Sequence, residues 1–233
     1  MDESVQDEEI DEEIEMQVEL ISYTHDADDL CGLAGKVCTS EYVPELGGDY
    51  TRTLKGALKS GHESIIEHAS YTFVIKGISR VTLAQLTRHR IASYSVQSQR
   101  YVDCVPLVSM PQTIMDAFDE DNDLKSKFVQ AMSDMMEVYD SLTDKHIPHE
   151  DIRYLYLQGS QCNLIVTMNA RELLHFFELR CCKRAQWEIN GLASNMLDLC
   201  KKVSPNIFAD AGAPCTHGKC REKVPCKEGK KDE

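Results

Sequence analysis

A chain of 233 residues, 42% of them hydrophobic, is long enough for one well-packed domain and too short for two large ones. Its net charge of −14 argues against a phosphate-rich partner until the acids are located. Asp2, Glu3, Asp7, Glu8, Glu9, Asp11, Glu12, Glu13, Glu15 and Glu19 fill a stretch without Lys or Arg, and setting those ten aside leaves −4 on the remainder.

The acidic segment has too few apolar residues to offset its ordering entropy, so residues 1–15 read as a solvated, disordered tail. A folded domain is expected over 16–212 and a flexible Cys/Lys-rich tail over 213–233. Cys31, Cys38, Cys104, Cys162, Cys181, Cys182 and Cys200 fall in apolar or helical patterns without a disulfide framework, and read as reduced thiols. The start lacks a basic segment followed by an apolar one, and no stretch approaches the roughly 20 apolar residues that span a bilayer. A cytoplasmic protein with no membrane partner is expected.

From Met16 to Tyr23, Val18 and Leu20 recur with period two, which predicts a strand. Ala27, Leu30, Cys31, Ala34, Val37 and Cys38 predict a helix from Asp26 to Cys38, and Leu54, Ala57 and Leu58 a second one ending at Gly61. Tyr71, Phe73 and Ile75 alternate with Thr72, Val74 and Lys76, so Ala69–Lys76 is expected as a strand that Gly77 ends. A helix from Val81 to Arg88 follows. Phe128, Ala131, Met132, Met135, Val138, Tyr139 and Leu142 form one stripe of a helix over Leu124–Leu142 and read as core. The last third is expected to be mainly helical, over Asp151–Ser160, Ala170–Leu179 and Ala185–Val203, with Pro205 as the stop.

Three segments carry chemistry. In the first, Arg88 to Tyr101, three consecutive cationic or potentially cationic side chains cannot share one helix face. Ser93, Ser95, Ser98 and Arg100 then add donors suited to phosphate oxygens; a solvated basic turn is the plain alternative. The second, Gly61 to His68, holds two His and two Glu, but His62 and His68 lack the spacing that places two ligands on one helix face, and no metal is expected there. In the third, Asn169 and Arg180 project in nearly the same direction from one helix with Leu173 and Phe176 between them, which suits a flat, partly polar ligand or an ordinary core helix with polar ends.

Together these segments resemble the flavin-dependent thymidylate synthases, whose hallmark is Arg-His-Arg, seven residues, then Ser; Arg88, His89, Arg90 and Ser98 fit it. The resemblance runs from about Met16 to Val203. It implies an α/β fold, a single domain with a central, mostly antiparallel sheet flanked by helices, assembled as a homotetramer with shared active sites. It implies reductive methylation of dUMP to dTMP, with FAD as cofactor, NADPH as reductant and 5,10-methylenetetrahydrofolate as carbon donor. Arg88, His89 and Arg90 would lie near the FAD phosphates and adenosine, His62, Ser64 and Glu67 along the flavin and folate region, and Asn169 and His175 beside the flavin. Gln85, Ser98, Gln99, Arg100, Arg153 and Arg180 would hold dUMP, with Arg180 and Ser98 catalytic.

The family works without a covalent cysteine nucleophile. Pro214-Cys215 and Pro225-Cys226 are set aside, because no pocket-forming pattern surrounds them. Val96 replaces an acidic residue found in some relatives, His175 stands where others have Asn, and Cys38 stands near a position where relatives offer FAD a hydroxyl. Two other readings stay open: Cys215, His217, Cys220 and Cys226 are chemically enough for one zinc, and Arg88, Arg90 and Arg100 could serve a single-stranded nucleic-acid module. The acidic balance and the lack of interleaved exposed aromatics disfavour the latter, and no nucleic-acid partner is expected.

Overall fold

The alternation at Tyr71, Phe73 and Ile75 builds the middle of a sheet. The computed structural model describes residues 15–101, 107–218, 220, 223, 224 and 226. The acids from Asp2 to Glu13, together with Cys104, lie outside the described residues. Four strands, β1 (Gln17–Tyr23), β2 (Ser70–Ser79), β3 (Ala92–Val96) and β4 (Gln161–Asn169), form one antiparallel sheet in the order β1-β2-β4-β3. Around it lie α1 (Ala27–Val37), α2 (Thr51–Lys59), α3 (Arg80–Leu86), α4 (Gln112–Glu120), α5 (Asn122–Asp144), α6 (His149–Ile152), α7 (Ala170–Arg180) and α8 (Trp187–Val203). This is the expected α/β architecture, an antiparallel sheet flanked by helices.

In the register of β2 and β4, Tyr71 faces Met168, Phe73 faces Val166 and Ile75 faces Leu164, all buried. They share one core with Leu173, Phe176 and Phe177 of α7 and with Ile189, Leu192, Met196 and Cys200 of α8. Phe208 closes it, meeting Tyr71 edge-on at 5.3 Å between ring centroids, while the Tyr71 hydroxyl donates to Ser204 Oγ at 2.6 Å. The other face of the sheet is more polar: Thr72 and Thr167 pair their hydroxyls at 2.9 Å, and Ile165 is 42% exposed.

Several expectations need correction. Gly77 does not end its strand. It adopts φ +73, the register shifts between Ile75 and Ile78, and β2 continues to Ser79, so the glycine makes a bulge. Asp151–Ser160 is not a helix: α6 stops at Ile152 and a 3-10 turn covers Arg153–Leu155. The carbonyls of Gln158 and Ser160 instead accept the N–H groups of Val81 and Arg80, so this backbone anchors the start of α3. The last third holds an unexpected strand, β4, beside the expected helices α7 and α8. The stripe on α5 is not core either: only Tyr139 is buried, and Val138 is 45% exposed. Finally, α3 ends at Leu86 rather than Arg88, because the Tyr94 hydroxyl on β3 donates between the carbonyls of Leu86 and His89, at 2.8 Å from each.

Helix α1 is held by a close approach. A Cβ on Gly32 would sit 2.6 Å from the Tyr50 carbonyl oxygen. Because the obstacle is backbone, Gly32→Ala is expected to destabilise the fold by about 1–3 kcal/mol, read as a lower midpoint in chemical denaturation with an unchanged slope.

Candidate active site

The Arg-His-Arg triplet follows α3 on a short turn into β3, and its side chains diverge. Arg88 and Arg90 are exposed, whereas His89 is 4% exposed. Its ring packs edge-on against Phe176 at 4.9 Å between centroids. Both ring nitrogens are engaged: Nδ1 lies 3.1 Å from Glu172 Oε1, and Nε2 accepts from Arg180 Nε at 3.2 Å. Burial holds the imidazole below its ordinary pKa, against the opposing pull of Glu172. Arg180 is lowered by burial as well.

Helix α7 supplies most of this wall. Asn169 caps it, its Oδ1 accepting the Glu172 N–H at 2.9 Å. Glu172 thus sits at capping-box spacing, yet its carboxylate turns to His89 instead of back to the cap. At the other end, Asn190 Nδ2 donates to the Arg180 carbonyl at 2.7 Å. Beside this helix is a cavity of about 490 Å³ lined by Glu63, Glu67, Ile91, Asn169, Leu174 and His175 among others. His62, Ser64 and Glu67 are exposed at or in the 3-10 segment Glu63–His68, and Glu67 pairs with Arg171.

A second group forms beyond β3. Arg100 Nε donates to Glu150 Oε2 at 2.8 Å, and Arg153 Nε to the Glu150 carbonyl at 3.0 Å, so one acidic residue gathers both arginines. Ser98 Oγ accepts the Arg100 N–H at 3.3 Å, and Gln99 Nε2 is buried without a hydrogen-bond partner among the described residues. Gln85 is half-buried on α3. The hydrogen bonds of this group do not reach Arg180 and His89 among the described residues.

Two groups escaped the sequence reading as site residues. Glu172 is signalled by its spacing from the cap Asn169, whereas Glu150 carries no local signal. Pro214-Cys215 also differs from expectation, because both residues line a cavity of about 320 Å³ together with Arg180, Cys182 and Cys220. Among the described residues, no group of three or more His, Cys, Asp or Glu could hold a metal ion. Nor is any helix of the described residues long and apolar enough to cross a membrane.

Comparison with known proteins gives a consistent result. Residues 19–206 match the family model described as thymidylate synthase complementing protein. A Geobacter sulfurreducens protein named flavin-dependent thymidylate synthase is 44% identical over 213 residues, covering 89% of this chain and 91% of the relative. A Sulfolobus acidocaldarius protein of the same name is 39% identical, covering 86% and 78%. The crystal structure of the UMP/dUMP methylase PolB from Streptomyces cacaoi, bound with 5-Br dUMP, shares the fold at a TM-score of 0.71 and 24% identity, covering 84% of this chain and 93% of that one.

Proposed function

Because this chain belongs to the family of flavin-dependent thymidylate synthases, we propose that it makes dTMP by reductive methylation of dUMP, on active sites shared between the subunits of a homotetramer. The observation that carries this reading is Arg180, a partly desolvated guanidinium tied to a buried imidazole in the wall of a cavity. A cation fixed there can bind the uracil and stabilise the negative charge that develops as C5 becomes nucleophilic.

The residues suit FAD. Exposed Arg88 and Arg90 offer forked donors for a diphosphate. The neighbouring cavity joins apolar Ile91 and Leu174 to the polar Asn169 and His175, the mixture a planar heterocycle requires. Asn169 orients its side chain through the helix cap, which leaves both amide N–H groups to offer a ligand. Bound FAD, reduced by NADPH, would supply the hydride that completes the methyl group from 5,10-methylenetetrahydrofolate.

The phosphate of dUMP is assigned to Ser98, Gln99, Arg100 and Arg153, with Gln85 nearby. Glu150 holds the two arginines together before the ligand arrives, and the buried Gln99 amide gains a partner when it does. That no hydrogen bond joins this group to Arg180 among the described residues favours a site completed by a second subunit.

The test is an absorbance spectrum of the protein with FAD, followed by anaerobic addition of NADPH, dUMP and methylenetetrahydrofolate with dTMP quantified. Flavin bleaching with dTMP formation is expected, and a protein that binds no FAD and forms no dTMP overturns the reading. Burial pushes the Cys31 thiol up to about 12 and the Cys181 thiol to about 11, both poor nucleophiles. Cys215 is the thiol to examine, and Cys215→Ser is expected to keep kcat within about twofold. A loss of roughly three orders of magnitude would place that sulfur on the pyrimidine.

A further inference from the structure

We infer that Glu172 is a positioning residue for the reaction: it locks His89 in the one tautomer that can accept the Arg180 Nε–H, and so fixes the guanidinium at the pyrimidine. This rests on the assignment of dUMP to Arg180.

The argument begins with hydrogen-bond inventory. An arginine Nε–H is always a donor, so the nitrogen it meets at 3.2 Å, His89 Nε2, must present its lone pair. The imidazole proton is then on Nδ1, where the partner at 3.1 Å is Glu172 Oε1, an acceptor when ionised. Reversing the tautomer would set two N–H groups against each other at Arg180 and leave Nδ1 facing a carboxylate with no proton between them. With His89 4% and Glu172 7% exposed, water cannot readily replace either bond.

The frame around the ring is equally fixed. Phe176 holds the plane of the imidazole, Asn169 caps the turn that carries Glu172, and Asn190 holds the carbonyl of Arg180. Glu172 and Arg180 lie on one helix, so the imidazole bridges two points of a rigid element. Arg180 Nε is therefore committed to the protein, and no other hydrogen bond of its guanidinium is made among the described residues.

Protonation of His89 would break the bridge by placing a hydrogen on Nε2. The groups that face it are Glu172, His175 and Arg180 of α7, with the His175 ring centroid 5.8 Å away, and Tyr94 of β3, whose hydroxyl binds the His89 carbonyl. Arg88 and Arg90 flank it in sequence and are exposed. Because burial lowers the folded pKa, the bridge is complete above the ordinary imidazole value of about 6.5 and is lost as pH falls through the lower folded value.

The experiment compares FAD-loaded wild type, Glu172→Ala and Glu172→Gln. Glu172→Ala is expected to lower kcat/KM for dUMP by about 10²-fold with FAD still bound, and the melting temperature falls by several degrees because the His89 N–H loses its buried partner. Glu172→Gln restores a neutral acceptor, so activity recovers to within roughly tenfold of wild type, and the acidic limb of the pH profile moves to lower pH because the carboxylate no longer favours the imidazolium. In parallel, nitrogen NMR of histidine-labelled wild type reads the tautomer directly: a proton on Nδ1 and a bare Nε2 are expected. The opposite tautomer, or a folded Glu172→Ala with unchanged kcat/KM and pH profile, overturns the inference. If wild type makes no dTMP, the functional reading fails, and the NMR measurement alone decides whether Glu172 sets the tautomer.

Discussion

Arg180→Ala is expected to lower kcat for dTMP formation by about two to three orders of magnitude, or about 2.7–4 kcal/mol of transition-state stabilisation, with FAD still bound. The size follows from the environment: the guanidinium is partly desolvated and already held by His89, so it need not reorganise as charge develops on the uracil. Retention of FAD follows because Arg88 and Arg90, the cations assigned to its phosphates, are exposed and take no part in the His89–Arg180 bond. Arg180→Lys is not expected to rescue. One ammonium cannot both satisfy His89 Nε2 and present a fork to the pyrimidine. Single-turnover dTMP formation with prereduced enzyme checks this, and a rate within threefold of wild type would remove Arg180 from the reaction.

Much of the fold could be read from periodicity, and the failures have identifiable causes. β2 alternates cleanly and α7 and α8 carry continuous apolar faces, so all three were legible. β4 alternates just as well through Cys162, Leu164, Val166 and Met168, but its neighbours Tyr156 and Leu157 extend an apparently helical pattern toward it. β3 is an edge strand of five residues, three of them small (Ala92, Ser93 and Ser95), and it takes its conformation from pairing with β4. The α5 stripe has the period of a core helix, yet its principal packing partners among the described residues are α4 and α6, including a Phe118–Phe128 contact at 5.2 Å. Period reveals an apolar face without revealing what covers it.

The candidate site was legible in a narrower sense. The hallmark spacing picks out Arg88, His89, Arg90 and Ser98, but it treats the triplet as one unit. Only tertiary structure turns His89 inward to Glu172 and Arg180 while its neighbours stay exposed. Glu150 is similar: it is ordinary in sequence and becomes informative when Arg100 and Arg153, fifty-three positions apart, bind its side chain and backbone. Residues that act through other residues leave little local pattern.

Glu188→Ala should produce the largest loss of stability. Glu188, 3% exposed in the first turn of α8, accepts from the Ser79 N–H at 2.6 Å, the Ser79 hydroxyl, and the Thr82 hydroxyl at 2.8 Å. Ser79 in turn caps α3 through the Thr82 N–H at 3.1 Å. Removing the carboxylate strands the Ser79 N–H and hydroxyl at once and leaves the Thr82 hydroxyl only Gln186 Oε1, at 3.4 Å. An orphaned buried donor costs about 1–3 kcal/mol, and breaking a buried charged network about 3–5 kcal/mol. The expected drop in melting temperature is roughly 10 °C for a chain of this length. Glu188→Gln keeps one good acceptor, and the two hydroxyls can rotate to accept from its amide, so about half the loss should return. Because α3 carries Gln85 and leads directly into the Arg-His-Arg triplet, loosening its start should also weaken FAD binding, which a purely local defect in α8 would not do. Calorimetry alongside FAD titration separates the cases: a melting temperature within about 3 °C of wild type would mean that water replaces the carboxylate, and the α3–α8 junction would then not be what holds the triplet in place.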